Sequence, residues 1–348
     1  MNAKDKKPAV YWLVYFLFIW LLLEFGCRII LFRIFPENIP GFESSSGWRI
    51  AWLRNHSGHK NNPKALAAFL PPAAYDATKG WALRPGLKNY AWGGKFTTNS
   101  KGLRGEKEYA YGKDAARKRI IIIGDSYVMG AENNDDQIFP FFLSRMLPEY
   151  DILNFGVGGY GHDQMLIKLK EEAAGYHPDM VILLYLPDDN SRNLLEFRDY
   201  AKPRYIFKDD KLRLTNVPVP PPEEIIRQDY RHSYFLDLLG FILYRIKFNS
   251  GAMHGETTRI TRAIIKEMGQ ACSQVKAQFV IAALDNDPEN AKIIPSKINN
   301  GYVPCIFLNI NGYPEKYFAG HWSPEGHRIV AQQIAEGLSK HGLLNREE

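Results

Sequence analysis

The sequence feature that most constrains the fold is a run of four isoleucines that ends in a short polar motif. Ile120–Ile123 is followed at once by Gly124-Asp125-Ser126-Tyr127. A short β-branched run that stops at a glycine is typical of a strand buried inside a parallel sheet. Open α/β sheets bind their ligands just beyond the carboxyl ends of such strands. Ser126 is therefore well placed for a nucleophile, although capping of the next helix by Asp125 and Ser126 would explain the same residues.

From Lys118 onward, strand-like and helix-like segments alternate along the chain. This alternation predicts an α/β fold in which a parallel sheet is covered by helices on both faces. Strands are expected at 119–123, 151–155, 179–186, 278–283 and 303–309, and helices near 138–147, 162–175, 257–274 and 324–340.

Residues 191–256 interrupt this alternation. They contain a proline cluster at 218–222 and then an apolar stretch, Tyr234–Ile246, which Asp237 breaks. The stretch is too short to span a bilayer. We expect a helix that packs on the domain, and a lid over the site or a helix lying on a membrane surface is the alternative.

The first 35 residues have the composition of a membrane anchor. Ala9–Leu23 is uncharged, and Glu24 and Arg28 stand four residues apart. The pair could neutralise itself on one helix face or lie at interface depth, and either would extend the span to about residue 30. A cleaved signal peptide is the rival interpretation, but no small-x-small cleavage site follows. The lysines within residues 1–8 indicate a cytoplasmic amino terminus. The main domain is then expected on the periplasmic or extracytoplasmic side of the cytoplasmic (inner) membrane.

These patterns predict four parts of the chain. They are a cytoplasmic tail (1–8), a single transmembrane anchor (9–35), a membrane-proximal extension (36–115) and an α/β domain (116–343) with residues 191–256 as an insertion or lid. The extension is rich in glycine, proline, asparagine and aromatic residues, which favour short strands and loops.

Composition and motif content exclude several classes of function. The net charge of +6 is spread along 348 residues without a nucleic-acid-binding signature, so nucleic acid is not an expected partner. Cys27, Cys272 and Cys305 form neither a disulfide framework nor a metal-ligand cluster. The glycines of Gly156–Gly161 follow a predicted strand, but the downstream acidic ribose ligand of a dinucleotide-binding motif is missing. No metal or cofactor is implied.

Three further polar segments lie at the ends of predicted strands or before the last helix. Asn154–Gly161 follows the second strand, and its glycines let backbone N–H groups approach a ligand. Pro187–Asn190 follows the third strand, and Gly320–His327 precedes the last helix. His321 in that last segment suits a general base. A serine nucleophile needs such a base and also donors that stabilise an oxyanion.

Together the four segments resemble the motifs of the SGNH/GDSL hydrolase superfamily, whose fold is a flavodoxin-like three-layer α/β/α sandwich. The resemblance covers about residues 118–343, and segments 80–86 and 98–105 resemble the leader of membrane-anchored bacterial members. It implies that Ser126 is the catalytic nucleophile and His321 the catalytic base. It also implies that the backbone N–H groups of Ser126 and Gly159 hold the oxyanion.

The third motif departs from the family at the oxyanion donor. The family has an asparagine whose amide donates to the oxyanion, and Asp188 stands at that position, followed by Asp189. An ionised carboxylate has no hydrogen to donate. Either Asp188 is protonated, or Asn190 substitutes for it, or this donor is missing.

The acid that orients the histidine departs from the family as well. The family places it two or three residues before the histidine, where this chain has Ala319 and Phe318. Without an orienting carboxylate the imidazole can adopt the wrong tautomer. His321 is then expected to work in a Ser–His dyad or to use Glu315, Asp189 or another acid brought near by the fold.

These residues predict a membrane-anchored serine hydrolase of acyl esters. O-acetylated polysaccharide is a candidate substrate, because the expected location faces envelope glycans. A lipid ester is another candidate substrate, and an O-acyltransferase is a close variant of the activity. The alternative is a catalytically degenerate protein that serves as a binding or structural subunit of a membrane or envelope complex. A membrane-protein partner could then pack on the anchor. Membrane lipid is expected around the N-terminal helix.

Overall fold

The computed structural model describes residues 6–34, 44–56, 58, 72–112, 117–284, 290–299 and 301–344. The chain forms two compact units. The first contains residues 1–69, 197–201 and 220–253, and the second contains residues 70–196, 202–219 and 254–348. The predicted extension (36–115) and the predicted insertion (191–256) are thus each divided between the two units.

Helices and short strands alternate along most of the described chain. The helices are α1 (Lys6–Ile29), α2 (Ser45–His56), α3 (Ser126–Met129), α4 (Phe139–Met146), α5 (His162–Glu172), α6 (Asp189–Arg192), α7 (Pro222–Gln228), α8 (Tyr234–Asn249), α9 (His254–Gln274), α10 (Asn290–Ile293) and α11 (Pro324–Lys340). The strands are β1 (Ala73–Asp76), β2 (Gly80–Leu83), β3 (Tyr90–Ala91), β4 (Lys95–Phe96), β5 (Lys118–Ile123), β6 (Tyr150–Asn154), β7 (Met180–Tyr185), β8 (Phe197–Arg198), β9 (Tyr200–Ala201), β10 (Arg204–Lys208), β11 (Lys211–Thr215), β12 (Gln278–Leu284), β13 (Lys297–Ile298), β14 (Gly301–Tyr302) and β15 (Cys305–Leu308).

The second unit is built on a five-stranded sheet in the order β15-β12-β7-β5-β6. All neighbouring strands of this sheet are parallel, with Ile120 of β5 opposite Ile152 of β6 and Met180 of β7. The five predicted strands are these five, and the predicted α/β fold is confirmed. The remaining described strands form two-stranded antiparallel pairs.

The isoleucine run forms the centre of the core. Ile120–Ile123 has no exposed surface, because strands flank β5 on both sides and helices cover both faces of the sheet. Ile120 and Ile122 pack into a cluster with residues of α4 and α11, among them Phe139 and Ile334. Since successive strand side chains point to opposite faces, Ile121 and Ile123 face the other layer. This explains why the run is continuously apolar rather than alternating.

The first unit contains the apolar N-terminal helix. Ala9–Arg33 is long and apolar enough to cross a membrane, a property that signal sequences and buried core helices share. The helix α1 continues into a π-helical turn, Ile30–Ile34. The helix α1 packs with α8, and the π-helical turn packs with α2. Buried side chains form a cluster there: Cys27, Leu31, Ile50 and Tyr234.

Candidate active site

The motif Gly124–Tyr127, which the resemblance identified as the nucleophile motif, lies where β5 ends and α3 begins. Asp125 is the N-cap of α3, and its carboxylate accepts a hydrogen bond of 3.0 Å from the backbone N–H of Tyr127. The sequence left two explanations of this motif open, helix capping and a functional serine. In the structure the two explanations apply to different residues. Asp125 provides the cap, which leaves the hydroxyl of Ser126 available for other partners. Ser126 is half-buried, whereas Asp125 is buried.

That hydroxyl meets His321 across 195 residues of sequence, with 3.0 Å between Ser126 Oγ and His321 Nε2. The loop that carries His321 is fixed on both sides. Tyr127 donates from its hydroxyl to the backbone oxygen of Gly320 at 3.0 Å, and its ring packs on the imidazole. Trp322 is buried against Tyr127. The next residue, Ser323, caps α11 through its side chain. The structure therefore brings together the serine and the histidine that the motifs identified.

The acid at His321 is one that the sequence analysis did not name. His321 Nδ1 lies 2.9 Å from Oε1 of Glu132, whose side chain is 66% exposed. The sequence offered Glu315, Asp189 or another acid brought near by the fold, and Glu132 is such an acid. Glu315 begins a short 3-10 helix, and Asp189 is buried and paired with Arg192. Glu132 follows Ser126 by only six residues, but the turn after α3 carries it to the far side of the imidazole.

Buried polar contacts hold the turn that carries Glu132. The side-chain amide of Asn133 donates to the backbone oxygens of Ala131 and Trp322, at 2.8 and 2.9 Å, and so joins this turn to the histidine loop. Arg104 donates to the backbone oxygens of Gly130 and Asn133 and pairs with Asp135 at 2.6 Å. Its side chain is completely buried. Arg104 belongs to the leader segment 98–105, so that segment supports the acid of the site.

The second loop passes directly beside the serine. Asn154 joins it to α3, because its amide donates to the backbone oxygen of Val128 at 2.8 Å and its oxygen accepts from Gly156 N–H at 2.9 Å. A Cβ on Gly156 would lie 2.2 Å from the backbone nitrogen of Met129, so only glycine permits this approach. A Cβ on Gly158 would lie 3.9 Å from Cβ of Ser126.

Two backbone donors of these loops have no protein acceptor. Within the described parts of the chain, neither the N–H of Ser126 nor that of Gly159 donates to a protein atom. Gly159 has a φ of 81°, a conformation that glycine adopts readily. The preceding residue is anchored by Trp81, which donates from Nε1 to the oxygen of Gly158 at 2.9 Å. The leader thus supports this loop as well.

The third loop provides no amide donor directed at the serine. Asp188 is exposed. Asn190 is buried, and its amide nitrogen donates to the hydroxyl of Tyr185 at 2.7 Å. Of the three explanations for the missing asparagine, the structure therefore favours a missing side-chain donor over a substitution by Asn190.

Arg192 is a further residue of the site that sequence reasoning missed. Its guanidinium pairs with Asp125 at 3.0 Å and with Asp189, and it donates to the backbone oxygen of Tyr160 at 2.9 Å. One cation thus joins the nucleophile loop, the glycine loop and the third loop. It also neutralises two carboxylates, one of which, Asp125, precedes Ser126 in the chain. A short helix with a basic residue three positions after Asp189 was the only signal in the sequence.

His327, the second histidine of the last motif, is structural. Burial lowers its pKa to about 3, and its neutral Nδ1 accepts a hydrogen bond from Phe139 N–H at 3.3 Å. His162 is likewise fully buried, and burial lowers its pKa to about 3. Neither ring lies at Ser126, so both belong to the core of the sheet unit.

These two histidines predict acid sensitivity of the fold. The folded-state pKa of each is lowered from about 6.5, so the unfolded chain binds protons more readily. Their contribution to stability is complete above about pH 6.5 and is lost as pH falls from there toward 3. We expect the full chain in detergent to unfold at a lower temperature at pH 5 than at pH 7.5. His327→Gln should show a smaller difference between the two pH values, whereas His341→Gln, at an exposed position, should behave like the wild type. Equal pH dependence in His327→Gln and wild type would contradict this assignment.

The order of the sheet decides which fold this is. With the strands numbered along the chain, the spatial order is 2-1-3-4-5, the flavodoxin-like order. The nucleophile motif follows the first of these strands, the glycine loop follows the second, and the histidine precedes the last helix. The domain therefore has a flavodoxin-like α/β fold, which is the fold that the resemblance to the SGNH/GDSL hydrolases implied. No metal-binding group of three or more histidine, cysteine or acidic residues occurs in the part of the chain that the structure describes.

Several known structures are similar to the chain at low sequence identity. TesA is 10% identical with a TM-score of 0.39, over 65% of this chain and 100% of TesA. The esterase EstA of Pseudoalteromonas sp., in a form inhibited by monoethylphosphonate, is 10% identical with a TM-score of 0.39, over 64% of this chain and 98% of EstA. An acetyl-xylooligosaccharide esterase variant from Geobacillus is 12% identical with a TM-score of 0.38, over 67% of this chain and 100% of the esterase. No protein-family model and no curated protein matches the chain.

Proposed function

We propose that this SGNH/GDSL-fold protein is a membrane-anchored serine hydrolase that cleaves acyl esters outside the cytoplasm. One observation carries the proposal: an unbroken line of hydrogen bonds runs from Ser126 through His321 to Glu132, with distances of 3.0 and 2.9 Å. A nucleophile, a base and an acid that orients the base are the parts that acyl transfer needs. O-acetylated polysaccharide is the substrate we favour, because an extracytoplasmic domain faces envelope glycans.

The geometry supports a two-step reaction. Ser126 Oγ attacks the ester carbonyl carbon while its proton moves to His321 Nε2, and Glu132 stabilises the resulting imidazolium at Nδ1. The N–H groups of Ser126 and Gly159 hold the oxyanion of the tetrahedral intermediate. When the intermediate collapses, the bond to the alcohol oxygen breaks and the alcohol takes the proton from Nε2, which leaves an acyl group on Ser126. Water then attacks that acyl group while its proton moves to His321 Nε2. The bond between the acyl carbon and Ser126 Oγ breaks, Oγ takes the proton back from Nε2, and the carboxylic acid is released. A sugar hydroxyl in place of water would make the same intermediate an acyl donor.

A second function is favoured by the third loop. The oxyanion asparagine is replaced by Asp188, and the amide of Asn190 is bonded to Tyr185. Two donors then remain where the family has three. Loss of one oxyanion donor commonly costs about 10² to 10³ in kcat. This deficit supports a degenerate subunit that binds or supports an envelope complex without turning over esters.

Covalent labelling separates the two functions. The full chain in detergent should react with a fluorophosphonate, gain the mass of one adduct on Ser126, and hydrolyse p-nitrophenyl acetate. Ser126→Ala should lose both the adduct and the hydrolysis, whereas the matched variant Ser144→Ala should keep both. If the wild-type protein gains no adduct and cleaves no acyl ester, the catalytic proposal is wrong and the degenerate subunit stands. A second assay compares two substrates. Release of acetate from acetylated xylan would support a glycan ester as the substrate, and release of butyrate from tributyrin would support a lipid ester.

A further inference from the structure

The helix α8 begins directly on α1, the candidate membrane helix. The carboxylate of Glu24 accepts hydrogen bonds from the backbone N–H groups of Tyr234 and Phe235 at 2.7 and 3.2 Å, and from the hydroxyl of Ser233 at 2.7 Å. Trp20 packs on Phe235, with 5.4 Å between ring centroids. An acidic side chain of α1 therefore caps α8. The start of α8 lies at the level of residues 20–24 of α1.

This contact changes the interpretation of Glu24 and Arg28. The sequence suggested that the two side chains neutralise each other on one helix face. Glu24 instead binds the N-terminal end of α8, and Arg28 pairs with Asp229 at 3.0 Å, just before α8. Both charges thus attach α8 to the C-terminal part of α1.

One face of α8 is covered by the first unit. Tyr234 and Phe241 are buried, and Tyr234 and Leu238 belong to the cluster around Leu31. Asp237 pairs with Arg49 of α2. These contacts orient the helix and determine which face remains uncovered.

The uncovered face is a continuous aliphatic stripe. Leu236, Leu239, Leu243 and Ile246 recur at spacings of three and four residues and so share one side of the helix. Their exposed fractions are 53, 43, 49 and 58%. Ile242, which is 44% exposed, widens the stripe. Removing apolar side chains from water is favourable, so an aqueous environment for the whole stripe is unfavourable.

The same lipid phase that surrounds α1 fits this stripe. Val10–Leu23 of α1 is nearly all exposed apolar surface, and the Trp20–Phe235 contact joins that surface to the beginning of the stripe. The 16 residues of α8 extend about 24 Å, less than the hydrocarbon core. Arg245 and Lys247 near its end are exposed and suited to lipid headgroups. A short amphipathic helix with these features lies in the membrane interface.

We propose that α8 lies in the extracytoplasmic interface of the bilayer, with Leu236, Leu239, Ile242, Leu243 and Ile246 directed at the acyl chains. The proposal rests on the membrane-anchored part of the proposed function, in that α1 crosses the same bilayer, and it does not depend on ester hydrolysis. The first unit would then hold the chain to the membrane by two helices, one spanning and one lying flat.

Spin-label accessibility in lipid vesicles tests this placement. The full chain carries Cys305→Ser, which removes the half-buried cysteine, while Cys27 and Cys272 are buried and protected from labelling. Single labels replace Leu239, Leu243 and Ile246, with Arg245 as the matched exposed control on α8 and Leu17 as the control within α1. The vesicles contain phosphatidylethanolamine and phosphatidylglycerol. Labels at positions 239, 243 and 246 should collide more often with oxygen, which concentrates in lipid, than with a water-soluble nickel chelate. The label at position 17 should show the same preference. The label at 245 should show the opposite preference.

Each outcome decides one point. If Leu17 is protected from nickel while 239, 243 and 246 are as accessible as 245, α8 does not lie in the membrane and this inference fails alone. If Leu17 is accessible too, the anchoring itself fails. Dipolar broadening between labels at 243 that persists at high lipid-to-protein ratio would show that a second copy of the chain covers the stripe, and would overturn the lipid assignment.

Discussion

Replacing His321 by glutamine is expected to lower kcat for ester hydrolysis by about 10⁴- to 10⁶-fold, the range seen when the base of a Ser-His-acid triad is removed. His321 Nε2 is 3.0 Å from Ser126 Oγ, close enough to take the proton directly as the bond to the carbonyl carbon forms. Glutamine can occupy a similar volume but cannot accept and return a proton at neutral pH. Steady-state kinetics on p-nitrophenyl acetate give the measurement.

The control for this prediction is His341→Gln, near the end of α11 and exposed. It should keep wild-type activity. The melting temperature of His321→Gln should stay close to that of the wild type, because His321 is partly exposed and its loop is held by Trp322 and Ser323. Full activity in His321→Gln would mean that Ser126, if it reacts, uses another base.

Replacing Glu132 by glutamine is expected to lower kcat by about 10- to 10³-fold with little change in KM. The corresponding change costs about 10⁴-fold where the acid is buried. Glu132 is 66% exposed, so solvent screens its charge and the expected loss is smaller. The amide can still bond to Nδ1, yet it lacks the charge that stabilises the imidazolium. A fall in kcat at constant KM distinguishes this role from a change in substrate binding.

Glu315→Gln is the matched control for Glu132→Gln, since Glu315 is the acid nearest to His321 upstream in sequence. It should retain wild-type kcat. A larger loss in Glu315→Gln than in Glu132→Gln would show that the acid was assigned to the wrong residue. Equal, full activity in both variants would indicate that the imidazole works as a dyad with Ser126.

The parts of the fold and of the candidate site that the sequence indicated lie on local patterns. The isoleucine run and the glycine that ends it mark both a buried strand and the turn that exposes Ser126. The glycines after β6 mark a close approach of backbone, and Gly156 indeed lies against Met129. Each signal occupies fewer than about ten consecutive residues, because strand burial and turn geometry depend mainly on neighbours in the chain.

The parts that were missed depend on contacts between distant loops. Glu132 and His321 are 189 residues apart, and Arg192 and Asp125 are 67 apart. No periodicity connects such pairs. An exposed glutamate in a turn and an arginine in a short helix have no distinctive local pattern, so only the folded chain shows what they contact.

The sequence by itself determined the α/β fold, the order of its elements and the positions of the serine, the glycine loop and the histidine, because burial periodicity and turn chemistry specify these locally. The tertiary structure alone decided three further points. They are the contact of Glu132 with His321, the hydrogen bond from the Asn190 amide to the Tyr185 hydroxyl, and the capping of α8 by Glu24. In each case one polar side chain had several possible partners in the sequence. The packing of the surrounding helices and loops decided which of them came within hydrogen-bonding distance.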